Sequence, residues 1–275
     1  MTDVLSDRAA RHRRCLGQVV LGLAFAFAMV MGCSPEPTRM PPGAEPDRFL
    51  LDQAKAAMTE EKWLTARQNF QQLLDSYPQS VHRMDAKLGL ADAYFEEDSA
   101  GSYVLAISEY REFLTFYPSS PRAGYAQYRI GMCAFQQMRR AERDQTQTRL
   151  AITEFELFVE RYPNSEHMPE VAQRLQEAKD RLSEADYLVG YFYFRQRWLP
   201  GAVIRLKAVL QDHPQYSRRD AVYFYLAESL RLGELGAEAL PYYERLIEEF
   251  EQSEYLEQAK LRAAELKAAQ ANLAK

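Results

Sequence analysis

Along residues 47–255, apolar side chains return at helical spacing and stop three times at a Tyr-Pro pair, in DSYPQS, TFYPSS and RYPNSE. Counting twelve residues back from Pro78, Pro118 and Pro163 reaches Ala66, Ala106 and Ala151. Ala202 stands twelve before Pro214 and Ala239 twelve before Glu251, which adds two degenerate copies. Four, seven, eight and eleven residues after each alanine come Phe70, Leu73, Leu74 and Tyr77; Tyr110, Phe113, Leu114 and Tyr117; Phe155, Phe158, Val159 and Tyr162; Leu206, Val209, Leu210 and His213; and Tyr243, Leu246, Ile247 and Phe250. Those offsets trace one stripe of an α-helix. Proline cannot donate to the preceding turn and pushes the residue before it out of the helical region. The tyrosine is therefore the last apolar anchor of the stripe, and the proline is its stop.

Upstream of each alanine a second helical pattern carries a small residue: Ala54, Ala91, Gly131, Gly190 and Ala227. The separation from the alanine is twelve in units one, four and five, 15 in unit two and 20 in unit three, which predicts loops longer by three and eight residues in the second and third units. Small residues at both crossing points let two antiparallel helices approach closely. A hairpin of about 34 residues with this small/aromatic/Pro pattern resembles the tetratricopeptide repeat. The expected fold is all-α, a tetratricopeptide superhelix of five helical hairpins plus a C-terminal capping helix. Repeats one to three would span 47–165 and repeats four and five 187–255. After Pro163 no breaker follows Pro169 up to Gln196, so one helix of about 40 Å at 1.5 Å per residue is expected, joining the two groups through 166–186 and running on into repeat four. The Ala-, Lys- and Glu-rich tail, 256–275, reads as a polar cap on the open end.

The first residues follow another pattern. Arg8, Arg11, Arg13 and Arg14 precede an apolar run from Leu16 to Met31, which at about 16 residues is short for a membrane span and suits a secretion signal over 1–32. The run ends in VMGCS, which resembles a bacterial lipobox and implies that Cys33 carries lipid. Residues 33–46 read as a Pro-rich tether. Several acyl chains, at roughly 0.8 kcal/mol per buried methylene, would make such anchoring effectively permanent. Ser34 after the cysteine resembles lipoproteins sent on to the outer membrane. Cys15 would leave with the leader, so Cys133 alone remains, a small buried hydrophobe with no disulfide partner.

Charge and composition narrow the chemistry. The net charge is -5 and no Lys/Arg stripe is present, which sets nucleic acid aside. His12, His82, His167 and His213 are scattered without cysteine or carboxylate at metal-ligand spacing. Glycine-rich phosphate loops, GxSxG and HExxH are absent from the sequence. Neither catalysis, nor a metal, nor a cofactor is expected.

Function is then sought on surfaces. Registering the first helix of each hairpin on its small residue puts Phe95, Tyr125, Tyr128, Phe135, Tyr187, Tyr191 and Phe194 on the concave side, either as a groove for an extended peptide or as packing against neighbouring helices. Arg195, Arg197 and Arg205 lie beside a WLPG turn at Trp198, which reads as a protein contact or as a solvated turn.

The lipobox, the YPxS endings, the insert ending RDQTQTRLA and the segment YPNSEHMPEVAQRLQEAKDRLSEADYLVGYFYFRQRWLPGAV together resemble the BamD/ComL family of outer-membrane assembly lipoproteins. The resemblance implies a non-catalytic subunit of the β-barrel assembly machinery, lipid-anchored on the periplasmic face of the outer membrane. It implies early repeats that receive the aromatic-ended C-terminal segment of unfolded outer-membrane proteins. It also implies later repeats that hold the periplasmic POTRA domain of a BamA-type partner, with further lipoproteins of the machine as neighbours. An arginine nine residues before the proline of repeat four contacts BamA in the family, and Arg205 has that spacing. Counted from Trp198, it stands one residue further along than the pattern expects. The alternative is another periplasmic repeat scaffold: a pilotin, a cell-division coordinator or a regulator of peptidoglycan synthases.

Overall fold

The computed structural model describes residues 40 and 42–273. The expected leader, most of the tether and Cys33 lie outside the described residues. From Glu45 onward the chain forms one compact unit of consecutive helices: α1 (Pro46–Thr59), α2 (Trp63–Ser76), α3 (Arg83–Glu96), α4 (Ala100–Phe116), α5 (Ala123–Gln136), α6 (Thr146–Arg161), α7 (Met168–Arg195), α8 (Leu199–Asp212), α9 (Arg219–Leu232), α10 (Gly236–Glu249) and α11 (Leu256–Leu273). Each packs on its chain neighbours, giving hairpins α1/α2, α3/α4, α5/α6, the second half of α7 with α8, and α9/α10, closed by α11. The expected five-hairpin, all-α architecture is the one observed.

The small residues explain the close pairing. Ala54, Ala91 and Ala227 on the first helices, and Ala66, Ala106, Ala151, Ala202 and Ala239 on the second, have no exposed surface. At Gly190 a Cβ would stand 2.7 Å from Cδ2 of Leu206. Only glycine allows that approach.

Each second helix ends the same way. Tyr77, Tyr117, Tyr162, His213 and Phe250 are C-caps with φ between -126° and -133° and ψ between 49° and 71°. Their carbonyls accept from the N–H three residues on, at Ser80, Ser120, Ser165, Tyr216 and Ser253. Phe250 adopts this cap with Glu251 behind it, so cap and turn make the stop and proline reinforces it. The serine adds a second tie: the Ser80 and Ser253 hydroxyls donate to Asp47 at 2.6 Å and Asp220 at 2.7 Å on the first helix of the same hairpin.

The structure corrects three local expectations. The three extra residues of unit two lengthen α4 to 17 residues instead of the loop, because a reciprocal cap between Ser99 and Ser102 starts the helix early. In unit three the insertion is shared between a nine-residue connection, 137–145, and a 16-residue α6. The supposed WLPG turn lies one step earlier: the turn is at Gln196 and Arg197, Trp198 is the N-cap, and Leu199 already belongs to α8. Pro200 sits in the first turn of α8, where its missing N–H costs nothing.

The 28-residue α7 is about 42 Å long. Its first turns place Val171, Met168 and Leu175 in a core shared with α3–α6. Its last turns place Tyr187, Leu188, Tyr191, Tyr193 and Phe194 in a second core with α8–α11. A third cluster unites α1, α2 and the Ala86, Leu90 and Ala93 side of α3. α11 contributes Ala259 and Ala263 to the second core and leaves most of its surface in water. Cys133 is buried, and burial pushes its thiol up to about 12. No described helix is long and apolar enough to cross a membrane.

Candidate binding surfaces

The seven predicted concave aromatics fall into two separate sets. Phe95 on α3 and Tyr125, Tyr128 and Phe135 on α5 belong to the core around α3–α6. Tyr187, Tyr191 and Phe194 on α7 belong to the other core. Phe95, Tyr128 and Tyr187 are 8%, 8% and 4% exposed, which makes them chiefly packing residues. Tyr125, Phe135, Tyr191 and Phe194 are half-buried and keep part of their ring area in solvent.

Around the first set the structure adds polar groups that the sequence reading missed. The guanidinium of Arg129 lies 3.7 Å over the ring of Phe95 and pairs with Glu96. Asp92 Oδ1 accepts from the Tyr110 hydroxyl at 2.5 Å and the Tyr125 hydroxyl at 2.9 Å. Burial raises the Asp92 carboxyl above its ordinary range, against the opposing pull of those hydroxyls and of Arg129. His167 stacks on Tyr128 with 4.8 Å between centroids. Asp92, Tyr125, Arg122, Arg161, Ser165 and His167 line an open cavity of about 940 Å³. Its rim carries both charge signs beside a ring, a setting that suits a polar chain with an aromatic side chain.

In the second set Tyr225 of α9 is the residue that was missed. Its ring stands 4.7 Å from that of Tyr191 and 5.1 Å from that of Phe194. Tyr255 adds a further edge contact at 5.6 Å. Tyr187, Tyr191 and Phe194 lie at -3, +1 and +4 from Gly190, whereas Tyr225 lies at -2 from Ala227, off the stripe used for the registration.

The third surface surrounds Trp198, 56% exposed, whose ring meets Tyr193 edge-on at 4.7 Å and leans over Gly201. Arg195, Arg197 and Arg205 are all exposed, and among the described residues none of them forms an ion pair. Val189, Phe192 and Ile204 are exposed nearby along α7 and α8. Arg197 takes φ 60°, a left-handed conformation that costs a non-glycine residue energy. Among the described residues no group of three His, Cys, Asp or Glu side chains is arranged to hold a metal ion.

A stack of helical hairpins with buried small residues where their helices cross defines a tetratricopeptide-type repeat protein. The family model described as outer membrane lipoprotein, YfiO, matches residues 44–240, and the chain belongs to that family. Its relatives include the outer membrane protein assembly factor BamD of Caulobacter vibrioides, 26% identical over 223 residues, covering 80% of this chain and 72% of the relative. BamD of Vibrio cholerae is 26% identical over 207 residues, 72% of this chain and 83% of that one. Among solved structures, the TPR2AB-domain:pHSP90-complex of yeast Sti1 aligns over 81% of this chain and 83% of that chain, at 15% identity and a TM-score of 0.46.

Proposed function

We propose that this chain is a non-catalytic subunit of the β-barrel assembly machinery, held on the periplasmic face of the outer membrane by lipid on Cys33. Its tip at Trp198 docks the POTRA region of a BamA-type β-barrel protein, and its inner face receives C-terminal segments of unfolded outer-membrane proteins. Repeats one to three then serve the substrate, and repeats four and five the partner, with other lipoproteins of the machine alongside.

The observation that carries this reading is the tip itself. Three arginines that form no ion pair among the described residues surround a half-exposed tryptophan, and Arg and Trp are the side chains that most often anchor protein interfaces. Phe192 and Ile204 extend the apolar area beside them, at 56% and 68% exposure. Family membership and the BamD relatives support the assignment to assembly work.

The test is affinity purification of the chain from detergent-solubilised outer membranes, followed by identification of the co-purifying proteins. A β-barrel protein with periplasmic domains is expected in the wild-type sample and depleted with Arg205→Glu or Trp198→Ala. Recovery of a peptidoglycan synthase or a secretin in its place would overturn the reading.

A further inference from the structure

The connection between α5 and α6 takes nine residues where α1/α2, α3/α4, α7/α8 and α9/α10 each use three, and it has a built interior. Gln145 is buried, and its amide donates to the carbonyls of Arg140 at 2.8 Å and Arg143 at 2.9 Å. The Thr148 hydroxyl donates to the Gln145 side-chain carbonyl at 2.7 Å, which fixes the orientation of that amide. From outside the loop, Arg181 of α7 donates to the carbonyl of Arg139 at 2.9 Å. With three carbonyls held, the loop presents its side chains from a set geometry.

What it presents is charge. Residues 139–149 hold Arg139, Arg140, Arg143 and Arg149 against Glu142 and Asp144, a positive segment in a chain of net charge -5. The four guanidinium groups are on exposed residues, and among the described residues none of them forms an ion pair. Asp144 is occupied by the N–H and hydroxyl of Thr146. The acids of α7 that share a cavity with Met138 are also engaged: Glu177 by Arg174, Asp180 by the Ser217 N–H and Glu184 by Arg218. Uncompensated cations on a shaped loop lower association barriers for an anionic partner and fix its register.

We propose that this loop is a docking platform for an acidic polypeptide segment of a partner protein, gripped through arginine–carboxylate pairs at a place distinct from the Trp198 tip. The residue types favour a protein over a lipid surface. All four cations are arginine, whose planar fork matches carboxylate bidentately, and none is lysine. Between Phe116 and Val189 no described residue is an exposed large hydrophobic, so nothing there enters an acyl boundary.

The experiment uses the full chain in detergent and a fluorescein-labelled peptide of alternating Glu and Ser as the probe, read by anisotropy. Binding is expected at low salt and should fade as salt is added. The triple variant Arg139→Gln, Arg140→Gln and Arg143→Gln should weaken it about tenfold or more. Trp198→Ala should leave it unchanged, which separates this platform from the proposed partner contact. A circular dichroism spectrum identical to wild type shows that the triple variant is folded. Unchanged affinity in that variant would overturn the proposal. So would loop-dependent sedimentation with phosphatidylglycerol vesicles in the absence of any binding to the peptide.

Discussion

The guanidinium of Arg129 on α5 lies 3.7 Å over the ring of Phe95 on α3, linking two successive hairpins through a cation and an aromatic face. The same placement recurs where Tyr225 on α9 meets Phe194 on α7 at 5.1 Å. In both cases the residue at -2 from one crossing point covers the aromatic at +4 from the crossing point before it. These rings therefore stack successive repeats, the proposed peptide contact would be a second role for the half-exposed ones, and substitution should separate the two.

Phe95→Ala removes a buried ring and leaves Arg129 without its platform, so a loss of about 3–5 kcal/mol is expected in urea unfolding. Tyr125→Ala, at a half-buried position, should cost about 1–2 kcal/mol and instead weaken a fluorescent peptide ending in an aromatic residue, by anisotropy. Unchanged peptide affinity in the Tyr125 variant would return that ring to packing alone.

The crossing at Gly131 is filled by the ring of Phe155, which a Cβ would overlap. Gly131→Ala gains up to about 1 kcal/mol in helix propensity. Overpacking should outweigh it and lower stability by about 1–3 kcal/mol, measured as a fall in the thermal midpoint.

Arg197 sits at φ 60° in the α7–α8 turn. Arg197→Gly relieves the left-handed strain but loosens the unfolded chain, so stability should move by no more than about 1 kcal/mol in either direction. Co-purification of the proposed β-barrel partner should nevertheless drop, because a surface cation beside Trp198 has gone.

Glu228 on α9 is pushed up by burial, yet hydrogen bonds from Arg231 and Tyr243 and the charges of Arg231 and Arg262 outweigh that and hold its carboxyl below the ordinary 4.5. A folded value below the unfolded one stabilises the protein above pH 4.5 and loses that contribution as pH falls through the folded value. Stability should therefore drop on acidification below about pH 4.5, and Glu228→Gln should flatten that limb in urea titrations across pH.

Cys33→Ala tests the anchor. The variant should appear in the soluble periplasmic fraction on ultracentrifugation, while the wild type pellets with outer membranes. Continued pelleting of the variant would remove lipid from the account.

The repeat was legible because helix pairing leaves a periodic trace. Ala66, Ala106, Ala151, Ala202 and Ala239 stand at a fixed distance from the helix stop, and the structure buries every one. The long α7 was legible because its length depends only on the lack of a breaker after Pro169. The start of α4 was hidden because a Ser–Ser cap is a reciprocal contact between two ordinary residues, not a pattern. Of the candidate surfaces, the rings could be named, but their division into two sets could not. That division depends on which core each end of α7 joins. Arg129 and Tyr225 escaped notice because they reach back to a neighbouring hairpin, and such contacts follow no periodicity within a single helix.

The unbroken α7 also acts as a ruler. Val171 and Tyr187, its anchors in the two cores, are sixteen positions apart in the sequence, a rise of about 24 Å. An extended chain needs about seven residues to cover that span. Adding a single residue to the middle of the helix would lengthen the gauge by about 1.5 Å and swing everything beyond it by about 100°. The residue count of that stretch, more than its composition, sets how far apart and at what azimuth the two halves meet whatever lies across them.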